Sequence, residues 1–366
     1  MVVFRFVRSL VIVAFLAGCS RDSGPHPAVP AVGETEAAAI KALLAAGAVV
    51  KTDESGSVTD IDLHKLTLSP ETLAFLPDLK SLRVLNLADS SFGDESLPVL
   101  ERVSATLTNL DLRGCPLTDK ATAVIARFTA LRALRFNGKN GQTSISDDGV
   151  KLLAACRALK VLALDELTFV GTDGLSALID LKDLEELYVG GTITDDETCI
   201  VIAHFPKLKK LRLSRNQISD AALETLSKCP LLEDLDLSED SLITNDGMEH
   251  LAKLSGLKKL NLWRVQVSNE GVLQLASLSR MEWLNLDNTK LSDAGLPALK
   301  NMNSLIFLHL GSTQITGDGA PLLFHLTTLK DLKITRSAMG SSDAAVAELR
   351  KHLPNTAIQT EYIESE

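Results

Sequence analysis

Aromatic residues are scarce in this chain: two Trp, two Tyr and eleven Phe make up 4% of 366 residues. A core with so few rings must be filled by aliphatic side chains, and leucine does most of that filling. Clustered basic residues are also lacking. The formal charge is −10, which argues against the nucleic-acid footprint that grouped Lys and Arg provide. No C-x-x-C, H-E-x-x-H or glycine-rich phosphate loop is present. The seven histidines show no ligand spacing; His204 and His325 share a helix-end register but lie five copies of a repeat apart. No apolar run is long enough to cross a bilayer as a mature helix, since the longest, Leu10 to Leu16, is far short of about 20 residues. These absences point away from an enzyme and leave no cofactor, metal ligand or catalytic residue to name.

The N-terminal stretch, residues 1–18, reads as a targeting signal rather than as fold. Arg5 and Arg8 form a basic head before the apolar run, which ends in Leu16-Ala17-Gly18-Cys19. This resembles the bacterial lipoprotein lipobox. The resemblance implies lipidation of Cys19, which becomes the mature N-terminus, and export to the cell envelope. By the same resemblance Ser20 points to the outer membrane of a two-membrane cell. A plain secretory signal with an incidental cysteine is the alternative. Residues 19–33 hold Pro25, Pro27 and Pro30 with almost no large apolar side chains and read as a flexible tether.

Beyond the tether one unit recurs to the end. L-x-x-L-x-L begins at Val58, Leu82, Leu107, Leu131, Leu159, Leu184, Leu208, Leu232, Leu257, Met281, Leu305 and Leu329, at intervals of 24 or 25 residues with one of 28. The leucines of Leu305, Leu308 and Leu310 share one side of a strand, and polar helix starters such as Thr316 and Asp318 follow. A strand and a helix in so few residues cannot bury their own apolar faces, so each copy needs neighbours. Residues 34–57 read as an N-terminal cap of one helix and a hairpin. The repeats occupy 58–337, a C-terminal cap 338–359, and an acidic tail 360–366.

These units resemble leucine-rich repeats of the ribonuclease-inhibitor-like superfamily. The I-T-D-x-G-L stretches, Cys115-Pro116-Leu117-Thr118-Asp119, Cys156 and Cys229-Pro230 resemble the cysteine-containing class. The resemblance implies an α/β, right-handed solenoid of about 12 repeats, a horseshoe with a parallel sheet on the concave side and helices on the convex side. With the leader, it implies an exported bacterial leucine-rich repeat lipoprotein, of a kind whose partners are mostly unassigned. No F-box precedes the repeats.

Cys115, Cys156, Cys199 and Cys229 read as small buried side chains and not as disulfides. Cys156 and Cys229 match in register but lie three copies apart. At roughly 5 Å per copy that exceeds the about 7 Å bridging limit. The copy starting at Leu131 carries about four extra residues within Asn137–Ser144, an insertion on a loop that either serves binding or is merely tolerated.

The third, fifth and seventh positions of each strand point to the concave face. Toward the C-terminus they hold Trp263, Trp283, Phe307 and His309; upstream they hold Tyr188 and Arg212. Exposed tryptophan is typical of binding hot spots, so these six residues are the expected contact set for a protein partner. Stacking across strands, with only sheet stability as the result, is the competing expectation. Two rival roles remain: a structural envelope component without a specific ligand, and an enzyme with no recognisable motif.

Overall fold

The computed structural model describes residues 34–362. The expected leader, Cys19, the tether and residues 363–366 of the expected tail lie outside the described residues. A helix Glu34–Ala45 opens the structure, and Gly47, at φ +92°, turns the chain out of it. Strands Val49–Thr52 and Val58–Asp62 then form an antiparallel hairpin. Twelve further strands follow, each parallel to its predecessor, so that a single sheet of 14 strands runs in strict sequence order. The last strand, Ala357–Gln359, adds a half-copy in which Ile358 is half-buried.

Most strands hydrogen-bond over only three residues, with an inward, buried leucine between two half-buried residues that face the concave side. Leu305, Leu308 and Leu310 are fully buried, as are their counterparts in the other copies. The convex side carries short helical turns. Several, such as Asp293–Asn301 and Gly317–Leu323, are 3-10 helices with an internal proline. All four described cysteines are buried and free.

Two regularities explain how the copies lock together. The first is at the eighth position of the repeat, which in most copies lies three residues beyond the strand. Nine non-glycine residues there (Lys65, Asp89, Glu166, Arg215, Glu239, Arg264, Asn288, Ser312 and Arg336) take positive φ between 50° and 64°. Eight of these N–H groups, all but that of Arg336, reach across to the next copy, as Arg215 N does to the Ser238 carbonyl at 2.9 Å and Glu239 N to the Trp263 carbonyl at 2.8 Å. The left-handed conformation costs about 1 kcal/mol or more at each. No β-branched residue occupies the position.

The second regularity accounts for the Ser/Thr-Asp-x-Gly pattern. The Ser or Thr stands at the N-cap position of its own helix, and its N–H and hydroxyl both donate to the Asp one copy earlier. Ser146 donates to Asp119 at 2.8 and 2.7 Å, Ser219 to Asp196 at 2.7 and 2.6 Å, and Thr316 to Asp293 at 2.8 and 2.6 Å. Where asparagine replaces the acid, its oxygen accepts the N–H and its amide donates to the hydroxyl, as Asn269 does with Ser292. The glycine makes room for that carboxylate. A Cβ on Gly149 would lie 2.1 Å from Asp119 Oδ1, and one on Gly319 2.3 Å from Asp293 Oδ1.

Candidate protein-binding face

Register places the inward-facing residues in rows across the sheet. One row runs Glu186, Lys210, Asp234, Lys259, Trp283, Phe307, Asp331. From the Leu184 copy to the Leu257 copy, whole copies alternate in sign. Glu185 and Glu186 precede Lys209, Lys210, Arg212 and Arg215. Glu233, Asp234, Asp236 and Glu239 follow, and then Lys258, Lys259 and Arg264. Each stripe is neutralised by its neighbour: Lys210 meets Glu186 at 2.7 Å, Lys258 meets Glu233 at 2.9 Å, and Arg264 meets Glu239 at 3.0 Å. Glu185 lies between Lys160 and Lys209, both at 2.8 Å, and their hydrogen bonds hold its carboxyl down at about 2.

Tyr188 and Arg212 sit in this striped centre and contact each other, the guanidinium 5.3 Å from the ring centroid. Arg212 also reaches Asp236 at 3.4 Å and, across a whole copy, Asp165 at 3.0 Å. Beside it Arg215 pairs with Glu166 across the same copy. Gly190 and Gly191 make both spans possible. A Cβ on Gly190 would lie 3.1 Å from Arg212 Cδ, and one on Gly191 2.6 Å from the Glu166 carboxylate. Burial pushes the Asp165 carboxyl above its ordinary range, with Arg212 opposing. The Tyr188 hydroxyl donates to Glu186 at 2.7 Å; burial, with that carboxylate, raises its pKa. Asp165, Asp236 and the two glycines are absent from the expected set. The sequence signal for them was a Gly-Gly pair at positions seven and eight, which no other copy has.

Four strands further on the character of the face changes. Trp283 and Phe307 stack with centroids 4.8 Å apart and planes 6° apart. His309 meets the Phe307 edge at 6.3 Å, and the Lys333 ammonium approaches Phe307 at 5.6 Å from the strand on the other side. The three aromatic residues are half-buried. Trp263 does not join them. It lies two residues beyond its strand Lys259–Asn261, where Arg264 covers its ring at 5.1 Å, and among the described residues no aromatic ring stacks on it. The expected six-residue set thus divides into Tyr188 with Arg212, Trp263 alone, and Trp283 with Phe307 and His309. His309 Nε2 points toward Asp287 Oδ1 at 3.9 Å, an oxygen with no hydrogen-bond partner; burial lowers the pKa of the imidazole, with Asp287 opposing.

The inserted loop lies against the copy before it. Asn140 donates to the Gly114 carbonyl at 2.8 Å, and the buried Thr143 hydroxyl reaches the Cys115 carbonyl at 2.8 Å. Between this loop and Phe169, which is 63% exposed, runs an open groove of about 320 Å³. Among the described residues no cluster of His, Cys, Asp and Glu could hold a metal ion, and no helix is long and apolar enough to cross a membrane.

Comparison with known proteins agrees with this geometry. Residues 168–251 match a family model of the leucine-rich repeats of an FBD-associated F-box protein, and residues 103–126 match one of the leucine-rich repeat itself. The chain folds as a leucine-rich repeat solenoid. Among solved structures it is similar to an internalin (inlF) of Listeria monocytogenes, at 23% identity and a TM-score of 0.62, over 90% of this chain and 88% of that one. A leucine-rich repeat protein of Leptospira interrogans shares 18% identity at a TM-score of 0.43, over 81% of this chain and 94% of that one.

Proposed function

We propose that this chain is a non-catalytic protein-binding scaffold, exported and held at the bacterial cell envelope by a lipid on Cys19, with its partner on the concave face. In this reading residues 34–57 and 338–359 close the two ends of the repeats, and residues 19–33 give the scaffold reach. The cysteine-containing repeat class and an outer-membrane location belong to the same proposal. Proteins of leucine-rich repeat architecture generally serve protein–protein interaction. One observation carries the choice of surface: the stacked Trp283–Phe307 pair, edged by His309, follows a stretch of the sheet face in which neighbouring copies pair their charges. Half-buried, stacked rings give apolar area with little entropy to lose on binding.

The test is Trp283→Ala and Phe307→Ala in the full-length chain, with Trp263→Ala as a separate arm. Affinity capture from the native envelope should lose its specific partner with the first two, while each variant still melts in one cooperative transition. Partner retention with only a lowered melting point would make the rings sheet reinforcement and end the proposal for this surface. Mass spectrometry of the mature N-terminus tests the anchor, and an unmodified Cys19 or cleavage elsewhere would refute it.

A further inference from the structure

One buried carboxyl takes no part in the concave face. Asp240 is fully buried and sits at the ninth position of the Leu232 copy, just behind the acidic stripe. Its Oδ1 accepts the Asn216 N–H at 2.7 Å, while its Oδ2 has no hydrogen-bond partner. The same position in five other copies shows which polar side chain the turn accommodates. Thr192, Asn216, Thr289, Thr313 and Ser337 each donate a side-chain hydrogen to the carbonyl three residues earlier, at 2.8, 2.7, 2.8, 2.6 and 2.7 Å. Five copies thus place a donor over that carbonyl. An ionised carboxylate in the sixth would set a bare charge there instead, in a site sealed from water.

We infer that Asp240 is held as a neutral carboxylic acid whose Oδ2–H donates to the Leu237 carbonyl, doing the work of the threonine or asparagine found at this position elsewhere. No bond other than O–H changes, and the proton comes from solvent as the chain folds. The surroundings agree. Burial pushes the Asp240 carboxyl up to about 8 against the Asn216 N–H, which favours the charged form, and the nearby Asp236 and Glu239 add to the rise. The other charged or titratable groups facing this turn do not compensate. Arg215 and Arg264 are engaged with Glu239, and Cys199, from the Leu184 copy, is itself buried and has a raised pKa. In the next copy the ninth position is the buried Val265, which brings neither donor nor charge.

The consequence is a proton-linked turn. Unfolded, this carboxyl ionises near 3.8; folded, it does so near 8. Between those values the folded chain holds one more proton, so its stability falls as pH rises through that window and levels off above it, at tenfold in the unfolding constant per pH unit. Asp240→Asn and Asp240→Thr, in the full chain, test this. The infrared spectrum of the native protein at neutral pH should contain a protonated-carboxyl C=O band that both variants lack and that fades in the wild type above about pH 8. Urea unfolding across the same range should show both variants losing one proton's worth of slope. Absence of the band from the wild type, its persistence in the variants, or an unchanged slope would each overturn the assignment. Should one variant fail to fold, the other variant and the wild-type titration still decide.

Discussion

Gly149→Ala is the sharpest probe of how neighbouring copies are joined. Gly149 lies within the helix Asp147–Leu152 with negative φ, where alanine is ordinarily the better residue by about 1 kcal/mol. The structure reverses that expectation. The added methyl would lie 2.1 Å from Asp119 Oδ1, 2.8 Å from its Cγ and 3.0 Å from Thr122 Oγ1. A flexible carboxylate could swing aside cheaply, but this one accepts two bonds from Ser146, at 2.8 and 2.7 Å in a part-buried setting. Displacing it loses two charge-assisted bonds, about 1.5 kcal/mol each. Set against the helical gain, the net is a destabilisation of about 2 kcal/mol. Urea denaturation followed by circular dichroism measures it. Gly256→Ala is the control, since its nearest neighbouring atom would be 3.6 Å away, and it should be close to neutral. In an Asp119→Ala background the same Gly149→Ala change should cost nothing or help, because the clashing group is gone. If Gly149→Ala matches or exceeds the wild type, or if its cost persists without Asp119, the carboxylate link is not what the glycine serves.

Lys210→Glu would set an acid between Glu186, its partner at 2.7 Å, and Asp234, its neighbour in register. A loss of about 1–2 kcal/mol at low salt, shrinking as salt rises and partly restored by adding Glu186→Lys, is expected from unfolding midpoints; an equal loss at high salt would refute the electrostatic reading. Cys115, Cys156 and Cys229 are buried with thiols pushed up to about 11, and Cys199 is raised as well, in each case by burial. Native protein should therefore resist thiol-labelling reagents at these four sites, read by peptide mass, until denaturant unfolds it; early labelling of any one would show that its copy opens locally.

The leucine spacing made the sheet legible because only strand leucines at the first, fourth and sixth positions can fill a repetitive core. The cap residues were legible for a similar reason: Ser69, Thr118, Ser219 and Thr316 each accept the expected helix N–H. What sequence could not give was the purpose of side chains whose partners lie 23 to 49 residues away. Asp119, Asp196 and Asp293 each stand at the first position of a helix, yet their oxygens serve the following copy. Arg212 looked like one member of a binding row, but its reach to Asp165 depends on the missing side chain of Gly190. Trp263 shares a face with Trp283 by alternation. Its place beyond the strand end and the Arg264 guanidinium keep it apart from the stacked pair. The left-handed eighth position carried only a weak compositional mark: glycine in three copies, and Lys, Asp, Glu, Arg, Asn or Ser in the rest.

The alternation of sign along the solenoid limits how its length can change. The carboxylate links are interchangeable, so Asp196 could serve Thr244 as well as it serves Ser219. Charge is less forgiving. Removing the Leu208 copy alone would press the acidic Leu184 copy against the acidic Leu232 copy. Removing the Leu208 and Leu232 copies together would bring the Leu184 copy against the basic Leu257 copy and keep every stripe opposed. Over this stretch the molecule can therefore grow or shrink smoothly only in pairs of repeats, a parity rule written in ion pairs on a scaffold whose backbone obeys none.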